Sequence, residues 1–403
     1  MGLKPLVAIV GNTGVGKSQF AVDLAKALNG EVINADAMQM YQGLDIISNK
    51  HPIAERQGVP HHLLGTESWN NQITVQDFEV RAQQVIDKLH AENKLPILVG
   101  GTHYYIQSLI TKNNLINNNE APIAQKEFSA KELEILNDSS KVEAELKRVD
   151  PVIASKFHPN DTRRLRRALE IWYETGKKPS SIYESQKGGS EDEKLQMRYN
   201  VLVYWVWSSR EVLTPRLDAR VDKMVDQGLQ DELKGMYRLY NGQSTGIWQV
   251  LGFKQFLNYL ATPTQENWDQ GLQDMKTDTR HYAKKQTKWI KNKLGPLLQE
   301  LGGKFALVDA SDLSQWNTNV RDRGITIAKE WLKENMSTDL VPGYLAGEIV
   351  RKRQPFSQHQ WVRHRCDVCS EVKETVLMGD DEWKIHLQSK GHRYHVKRAA
   401  KEK

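Results

Sequence analysis

Short apolar runs, each about the length of a strand, recur along this chain. Four of them cover residues 6–10, 31–34, 95–99 and 201–207, and residues 305–309 form a similar run near the end. Continuous apolar runs are typical of strands that are covered on both faces, so they favour a parallel sheet flanked by helices. The pattern therefore predicts an α/β fold.

Between these runs, apolar residues recur with the period of a helix. In residues 18–28 the side chains of Phe20, Leu24 and Leu28 fall on one face. Another helix is predicted to begin after Pro159, with Leu165, Ala168, Leu169 and Trp172 on its apolar face. Further helical patterns cover residues 216–224 and residues 279–291, the latter with Trp289 and Ile290 on the buried side. Loops are predicted at 113–119 and 185–194, and charged helical sequence follows the first loop to about residue 149.

The first strand leads into the glycine-rich loop GNTGVGKS, which fits the phosphate-binding pattern G-x-x-x-x-G-K-[ST]. Its position between a strand and a helix favours a phosphate site over an ordinary glycine turn. Backbone N–H groups can point at phosphate oxygens, Lys17 adds a full charge, and Ser18 offers a hydroxyl to a bound Mg²⁺. The pattern does not say whose phosphates bind. The predicted loop residues are Gly11, Asn12, Thr13, Gly14, Val15, Gly16, Lys17 and Ser18.

Two further strand ends carry candidate chemistry. Asp36 follows the second strand, at the edge where ligands bind in open parallel sheets. A carboxylate there can hold a metal through water or accept a proton, and capping a helix is the alternative. The third strand leads into GGTHYY with Thr102, and no acidic residue follows it. Asp309 ends a later strand, but it lies too far along the chain for a usual Walker-B carboxylate. The lack of such a carboxylate in its usual place counts against an ordinary nucleotide hydrolase.

Basic residues are concentrated in a few segments. Arg163, Arg164, Arg166 and Arg167 fall within five residues of one predicted helix, which suggests a phosphate backbone or a pyrophosphate, although a solvated face is the alternative. From residue 351 onward there are 13 Lys+Arg and 7 Asp+Glu, so this tail holds the whole formal charge of +6. A basic tail often binds nucleic acid, and a solvated, disordered end is the alternative.

Composition narrows the class of protein further. With 39% hydrophobic and 26% charged residues, and no window of eighteen apolar residues, a soluble protein without a membrane span is expected. Two cysteines exclude a disulfide framework and indicate a reducing compartment. The N-terminus leads almost directly into the first strand, so no secretory signal is expected. We therefore expect a cytoplasmic monomer, with nuclear and mitochondrial pools left open.

The tail also carries a metal-ligand pattern. Cys366 and Cys369 have two residues between them, and His386 and His392 have five. Both spacings match a Cys₂His₂ zinc site, and a fold this small needs a metal to stabilise it. Two unrelated thiols with surface histidines are the alternative, and His395 is a possible substitute ligand. A helix is predicted from residue 381, with Trp383 and Leu387 in its small core.

Six longer motifs follow one another along the chain: GNTGVGKS, NADAMQMYQGLDIISNKHP, LPILVGGTHYY, HPNDTRRLRRALEIWYETGKKPS, RLDARVDKM and TRHYAKKQTKWIK. In this order they resemble the motifs of the tRNA dimethylallyltransferase family. The resemblance covers about residues 5–295, and the tail resembles the zinc-finger module of the eukaryotic members. This sequence departs from many members in having Ala35 and Ala37 beside the aspartate, where Ser or Val is common.

The resemblance implies prenyl transfer onto RNA. In that family the phosphate loop holds the diphosphate of dimethylallyl diphosphate rather than ATP, and the acceptor is the exocyclic amine of the adenosine 3′ of the anticodon. Asp36 matches the general base, Arg220 matches an arginine on the diphosphate, and Lys17 and Thr13 complete the catalytic set. The implied tRNA contacts are Asp36, Ala37, Met38, Gln39, Thr102, Arg163, Arg164, Leu165, Arg166 and Arg167, to which the basic helix adds Arg280 and Lys284.

Together these features predict a P-loop α/β enzyme with a helical insertion and a C-terminal zinc finger. Its expected partners are the anticodon stem-loop of tRNA and dimethylallyl diphosphate, with Mg²⁺ for catalysis and structural Zn²⁺. A P-loop nucleotide or metabolite kinase and a non-catalytic RNA-binding protein are the alternatives. The predicted domains are the first part of the core (1–112), a mostly helical tRNA-contacting insertion (113–200), the completion of the core with basic helices (201–335), a linker (336–360), and the zinc finger with its basic tail (361–403).

Overall fold

The computed structural model describes residues 2–112, 128–188, 195–243, 245–349, 362–370 and 375–400. The predicted loop at 113–119, most of the predicted loop at 185–194 and the end of the predicted linker lie outside these residues. The chain forms two compact units. Unit 1 comprises Met1–Leu115 and Gln196–Arg353, and unit 2 comprises Ile116–Leu195 and Gln354–Lys403.

Unit 1 is built on a six-stranded parallel sheet, which confirms the α/β prediction. Its strand order is β3-β2-β4-β1-β7-β8, so the strand before the glycine loop is central. Asp309 ends β8 at the edge of the sheet, two strands from β1. The strands of the sheet are β1 (Pro5–Gly11), β2 (Gly30–Asn34), β3 (His61–His62), β4 (Leu95–Val99), β7 (Asn200–Trp207) and β8 (Lys304–Asp309), and β5 (Thr111–Lys112) pairs antiparallel with β6 (Gln196–Met197).

Both faces of this sheet are buried, as the continuous apolar runs predicted. Along β1, Leu6, Ala8 and Val10 belong to one core cluster, and Val7 and Ile9 belong to the other. Helices cover both faces, so each apolar side chain of the strand leaves water. The helices of unit 1 are α1 (Lys17–Leu28), α2 (Val75–Ala91), α3 (His103–Ile110), α9 (Arg210–Asp226), α10 (Leu229–Arg238), α11 (Leu257–Ala261), α12 (Gln265–Trp289), α13 (Gly295–Leu301), α14 (Arg323–Leu332) and α15 (Ala346–Ile349).

Unit 2 includes a helical insertion with a core of its own. The apolar face predicted after Pro159 is buried there, including Leu165, Ala168 and Leu169. Asp161 caps the arginine-bearing helix by accepting a hydrogen bond from the N–H of Arg164. The helices of the insertion are α4 (Ala130–Leu136), α5 (Ser139–Val149), α6 (Pro151–Lys156), α7 (Thr162–Thr175) and α8 (Pro179–Gly188).

The C-terminal part of unit 2 is a small hairpin with three helices. Trp383 is half-buried and stacks on the ring of His364, with the ring centroids 5.2 Å apart. The prediction for Leu387 was wrong, because this residue is 39% exposed. The elements are β9 (Arg363–Arg365), α16 (Asp367–Ser370), β10 (Val376–Met378), α17 (Asp380–Leu387) and α18 (Lys390–Ala399).

Two further observations bear on the predictions for the chain as a whole. Residues 336–349, the described part of the predicted linker, belong to unit 1, and Leu345 is buried in its sheet core. Among the residues that the structure describes, no helix is long and apolar enough to cross a membrane.

Candidate active site and zinc site

The candidate active site lies where three neighbouring strands end. Strands β2, β4 and β1 are adjacent in the sheet, and they lead into Asp36, the Gly100–Thr102 turn and the glycine loop respectively. Parallel strands present their carboxyl ends at one edge, which brings these three segments together. Thr102 joins two of them, because its hydroxyl accepts a hydrogen bond from the N–H of Ala37 at 3.1 Å.

The glycine loop has the backbone conformation that its sequence predicts. Gly14 and Gly16 have φ values of 80° and 88°, which side-chain-bearing residues rarely adopt. Gly16 forms the left-handed N-cap of α1, and Lys17 begins that helix. The Lys17 ammonium donates to the carbonyl of Asn12 at 2.7 Å. The loop thus curls around its own lysine at the positive end of a helix, which is a suitable site for an anion.

Arg220 approaches the same loop from α9. One terminal nitrogen of its guanidinium donates to the Thr13 hydroxyl at 2.6 Å. Its Nε is shielded from solvent and has no hydrogen-bond partner within the described part of the chain. Burial lowers the pKa of Arg220 to about 10 and that of Lys17 to about 8. Two buried cations without a full set of partners fit a diphosphate.

Asp36 provides the negative charge opposite these cations. Its carboxylate accepts a hydrogen bond from the N–H of Met38 at 3.1 Å. Burial raises the pKa of Asp36, and the opposing effects of the Met38 N–H, Lys17 and Arg220 are smaller. A partly buried carboxylate of this kind is a stronger base than one in water, as proton abstraction requires.

Gly101 lets Asp36 approach the turn after β4. A Cβ on Gly101 would lie 2.9 Å from Asp36 Oδ2 and 2.9 Å from Gln286 Nε2, so any side chain there would displace these groups. The Tyr282 hydroxyl donates to the carbonyl of Gly101 at 3.1 Å. Burial and the charge of Asp36 raise the pKa of Tyr282, which therefore stays protonated.

Sequence reasoning missed the contribution of helix α12 to this site. Gln286, which is 3% exposed, accepts from the Thr13 N–H at 2.8 Å and donates to the Gly101 carbonyl at 3.1 Å. It therefore connects the glycine loop to the turn after β4. The signal in the sequence was a polar residue at a buried helical position, four residues before Ile290 and three after Ala283.

Beneath the loop, His103 is a second residue whose role was not predicted. Its Nε2 accepts from the Gly11 N–H at 3.4 Å, and it is 4% exposed. Burial, with a smaller effect from Lys17, lowers the pKa of His103 to about 3, so the ring is neutral and can accept this bond. His103 thus supports the loop without adding charge to it.

The predicted RNA-contacting residues fall into several environments. Met38 and Gln39 lie beside Asp36 in a short 3₁₀ turn, and Gln39 donates to the carbonyls of residues 48 and 49. Lys284 is exposed on α12, whereas Arg280 is partly buried and pairs with Asp218 at 2.5 Å. The four arginines of α7 are exposed in unit 2. The prediction that Leu165 contacts tRNA was wrong, because this residue is fully buried in the helical core and its side chain cannot contact RNA.

The four predicted zinc ligands come together in the C-terminal part of unit 2. The ligand atoms of Cys366, Cys369, His386 and His392 all lie within 4.8 Å of one another. His386 Nε2 is buried without a hydrogen-bond partner within the described residues. Two thiols and two imidazoles at this separation fit tetrahedral Zn²⁺, and four protein ligands leave no open position. His395 lies outside this cluster.

Comparisons with known proteins agree with this arrangement. A family model described as IPP transferase matches residues 39–293. The tRNA dimethylallyltransferase of Saccharomyces cerevisiae is 39% identical over 412 residues, covering 98% of this chain and 92% of that protein. The human tRNA dimethylallyltransferase is 34% identical over 422 residues, covering 98% of this chain and 86% of that protein.

Solved structures show the same relationship. A eukaryotic dimethylallyltransferase whose crystals show it acting on tRNA matches with a TM-score of 0.83 and 37% identity, over 99% of this chain and 98% of that one. The tRNA isopentenylpyrophosphate transferase of Bacillus halodurans matches with a TM-score of 0.55 and 31% identity, over 82% of this chain and 98% of that one. This chain therefore belongs to the IPP transferase family, with the tRNA dimethylallyltransferases as its relatives.

Proposed function

We propose that this protein transfers the dimethylallyl group of dimethylallyl diphosphate to the N6 amine of the adenosine 3′ of the anticodon in tRNA. The observation that carries the proposal is the placement of Asp36 opposite Lys17 and Arg220. A base and an anion site then face each other across the carboxyl edge of one sheet. Transfer of a carbon group from a diphosphate to an amine needs both.

Departure of the diphosphate is the first requirement of this reaction. As the bond between the dimethylallyl C1 and the diphosphate oxygen breaks, negative charge develops on that oxygen. Lys17, Arg220 and the backbone N–H groups of the glycine loop are held in place to stabilise this charge, without reorganisation at the moment of reaction. Ser18 lies in the first turn of α1 and is the residue that would hold a Mg²⁺, which would neutralise part of the diphosphate charge when bound.

Activation of the adenine amine is the second requirement. The N6 amine becomes acidic as its nitrogen bonds to C1, and Asp36 then accepts the proton that is released. Turning the base out of its stack costs a few kcal/mol, and least in an unpaired loop, which suits an anticodon loop as the target. We assign Thr102 to positioning, since its hydroxyl holds the N–H of Ala37 next to Asp36.

Contacts to the tRNA backbone would come from the exposed basic residues. Arg163, Arg164, Arg166 and Arg167 lie on one helix. Arg164 pairs with Asp161, and Arg166 and Arg167 pair with Glu170 and Glu174, but these three arginine side chains are at least 45% exposed and can exchange their partners for phosphates. Lys284, which is exposed on α12, could also contact a phosphate of the tRNA. Cytoplasmic location and a monomeric state stay predictions from the sequence.

A radiolabel assay tests the proposed function directly. The protein is incubated with labelled dimethylallyl diphosphate and total tRNA, and separately with labelled ATP and small acceptors. Label in tRNA, recovered as N6-isopentenyladenosine after digestion, is the expected result. Phosphate transfer from ATP without RNA would favour a kinase, and tRNA binding without label transfer would favour a non-catalytic RNA-binding protein.

Replacing Gln286 tests the connection between the loop and the turn after β4. We expect Gln286→Leu to lower kcat/KM by about 10-fold or more, because the Thr13 N–H loses its buried partner and the Gly101 carbonyl keeps only the Tyr282 hydroxyl. Gln270→Leu, on the exposed face of the same helix, is the matched control. Steady-state kinetics for both substrates, with thermal unfolding of each variant, make the measurement. Unchanged kinetics in Gln286→Leu would remove the residue from the site.

Metal analysis and truncation test the C-terminal site. Purified protein is expected to carry about one Zn²⁺ per chain. Deleting residues 351–403 is expected to raise KM for tRNA and flatten its salt dependence, because fewer counterions are released per complex. Turnover at saturating tRNA should persist, since every proposed catalytic residue lies upstream. Cys366→Ser should reproduce these effects and His395→Ala should not. Absence of zinc, or loss of kcat with unchanged tRNA affinity, would contradict this role.

A further inference from the structure

The hairpin next to the zinc site contacts the helical insertion within unit 2, first of all through an arginine. Arg363, the first residue of β9, donates through one terminal nitrogen to the Glu143 carboxylate at 2.8 Å. Its other terminal nitrogen donates to the carbonyl of Ala154 at 2.5 Å and to that of Phe157. These carbonyls lie at the C-terminal end of α6, where helical carbonyls lack partners within the helix. A cation there also complements the helix dipole.

A second contact lies next to the first. His158 Nδ1 accepts from the Asn160 N–H at 3.0 Å, which leaves the proton on Nε2. That nitrogen donates to the carbonyl of Val376 in β10 at 3.0 Å. Both strands of the hairpin therefore contact residues 157 and 158, directly before the Asp161 cap of α7. The hairpin thus contacts the segment that leads into the arginine-bearing helix.

The zinc ligands hold this hairpin from its other end. Cys366 directly follows β9, and its N–H donates to the carbonyl of Thr375, which directly precedes β10. Zinc bound through Cys366 would fix the pairing of the two strands and, with it, the position of the Arg363 side chain. Cys366, the zinc ligand, is only three positions after Arg363 in the chain.

The guanidinium of Arg363 is used mainly for contacts with the insertion. Both terminal nitrogens are engaged, and its Nε is shielded from solvent without a partner among the described residues. Its side chain is only 20% exposed. Arg365, two positions on, is exposed by contrast. An effect of Arg363 on tRNA binding must therefore act through the insertion.

We propose that the zinc-bound hairpin positions the arginine helix α7 for RNA, with Arg363 and His158 as the positioning residues. This inference rests on the tRNA binding of the proposed function. The finger then contributes to tRNA affinity in two ways, through its own basic residues and through the start of α7. Loss of zinc or of Arg363 allows residues 151–161 to move, and the arginines that follow lose their fixed direction.

Hydrogen exchange on the full-length protein tests the docking without RNA. Zinc-loaded wild type, chelator-treated wild type, and zinc-loaded Arg363→Ala, Arg363→Lys and Arg365→Ala are compared. We expect faster exchange over residues 151–161 in the chelated protein and in both Arg363 variants, with zinc content unchanged in the variants. Lysine keeps the charge but cannot bridge a carboxylate and two carbonyls. Arg365→Ala should match wild type. Equal exchange in all samples would overturn the proposal.

A double-mutant cycle on tRNA affinity separates positioning from direct contact. Arg363→Ala is expected to weaken tRNA binding on the order of 5-fold in the wild-type background and much less in an Arg163→Ala background, since positioning acts through the helix that carries Arg163. Arg365→Ala should have the same effect in both backgrounds. Additive effects of Arg363→Ala and Arg163→Ala would refute the positioning role. A protein that binds no tRNA would contradict the proposed function, and hydrogen exchange alone would then decide the docking.

Discussion

Asp36→Asn is expected to lower kcat by about 10²-fold or more, while the affinity for tRNA changes little. The amide keeps the shape of the side chain and can still accept the hydrogen bond from the N–H of Met38. It cannot take a proton from the adenine amine. Single-turnover transfer with saturating donor and tRNA measures this loss directly. A variant that turned over at the wild-type rate would show that Asp36 is not the base.

Asp309→Asn is the matched control for this prediction. Asp309 also follows a strand of the sheet, and its sequence context is that of a Walker-B carboxylate. In the structure it accepts from the Ser311 N–H at 2.9 Å and from the Tyr344 hydroxyl at 3.1 Å, at the sheet edge. We expect little change in transfer. A kinase that used Asp309 for its metal would instead lose activity in this variant and keep it in Asp36→Asn.

The pH profile distinguishes the two variants further. Burial raises the pKa of Asp36 above the ordinary value of an aspartate. The carboxylate is therefore protonated at a higher pH than usual. Activity should therefore fall on the acid side as Asp36 is protonated, and the log of kcat/KM should approach a slope of one. The acid limb should disappear in the residual activity of Asp36→Asn and persist in Asp309→Asn.

The sheet and the phosphate loop were predictable from the sequence because their signals are local. Residues 95–99 were predicted as a strand and form β4 with the same ends. The loop needs glycine at specific positions, and the structure gives Gly14 and Gly16 the positive φ values that explain them. Local signals of this kind do not depend on the rest of the fold.

Contacts between distant segments could not be predicted in the same way. Gln286 contacts Thr13, 273 residues earlier in the chain, and an amide at a helical position has no local pattern that names its partner. The helix also begins at Gln265, well before the predicted start at 279. Leu165 was assigned to RNA because of the arginines around it, although its own apolar period placed it in the core.

The attachment of the finger to the insertion is a similar case. Arg363 and Glu143 are 220 residues apart, and nothing in the tail distinguishes Arg363 from Arg365. The zinc spacing itself was predictable, since both ligand pairs are local. What the sequence could not indicate was which surface the finger would pack against.

Lys17→Ala and Arg220→Ala are each expected to lower kcat/KM for the donor by about 10²-fold or more, with tRNA affinity largely intact. Each removes a buried cation from the proposed diphosphate site. Arg216→Ala is the matched control, because this arginine lies one turn earlier on α9 and donates to the carbonyls of Ala310 and Ser311 at 2.7 and 2.6 Å. Initial rates against donor concentration make the comparison. Wild-type values of kcat and KM for the donor in both variants would contradict the assignment of the diphosphate site.

The pKa of Lys17 adds a sharper form of this test. The pKa of Lys17 is lowered to about 8, mainly by burial and to a smaller extent by the charge of Arg220, and Asp36 opposes both effects. A lysine with a lowered pKa is charged below that pH and neutral above it, so the donor-free enzyme should lose its ammonium as the pH rises through about 8. The value of kcat/KM for the donor reports the free enzyme and should fall there, whereas kcat should hold to higher pH because a bound diphosphate stabilises the charged form. In Lys17→Ala this basic limb should be absent, leaving only the later one expected from Arg220, whose pKa is lowered to about 10. A wild-type profile that is flat from pH 7 to 9 would show that Lys17 keeps its charge without the donor.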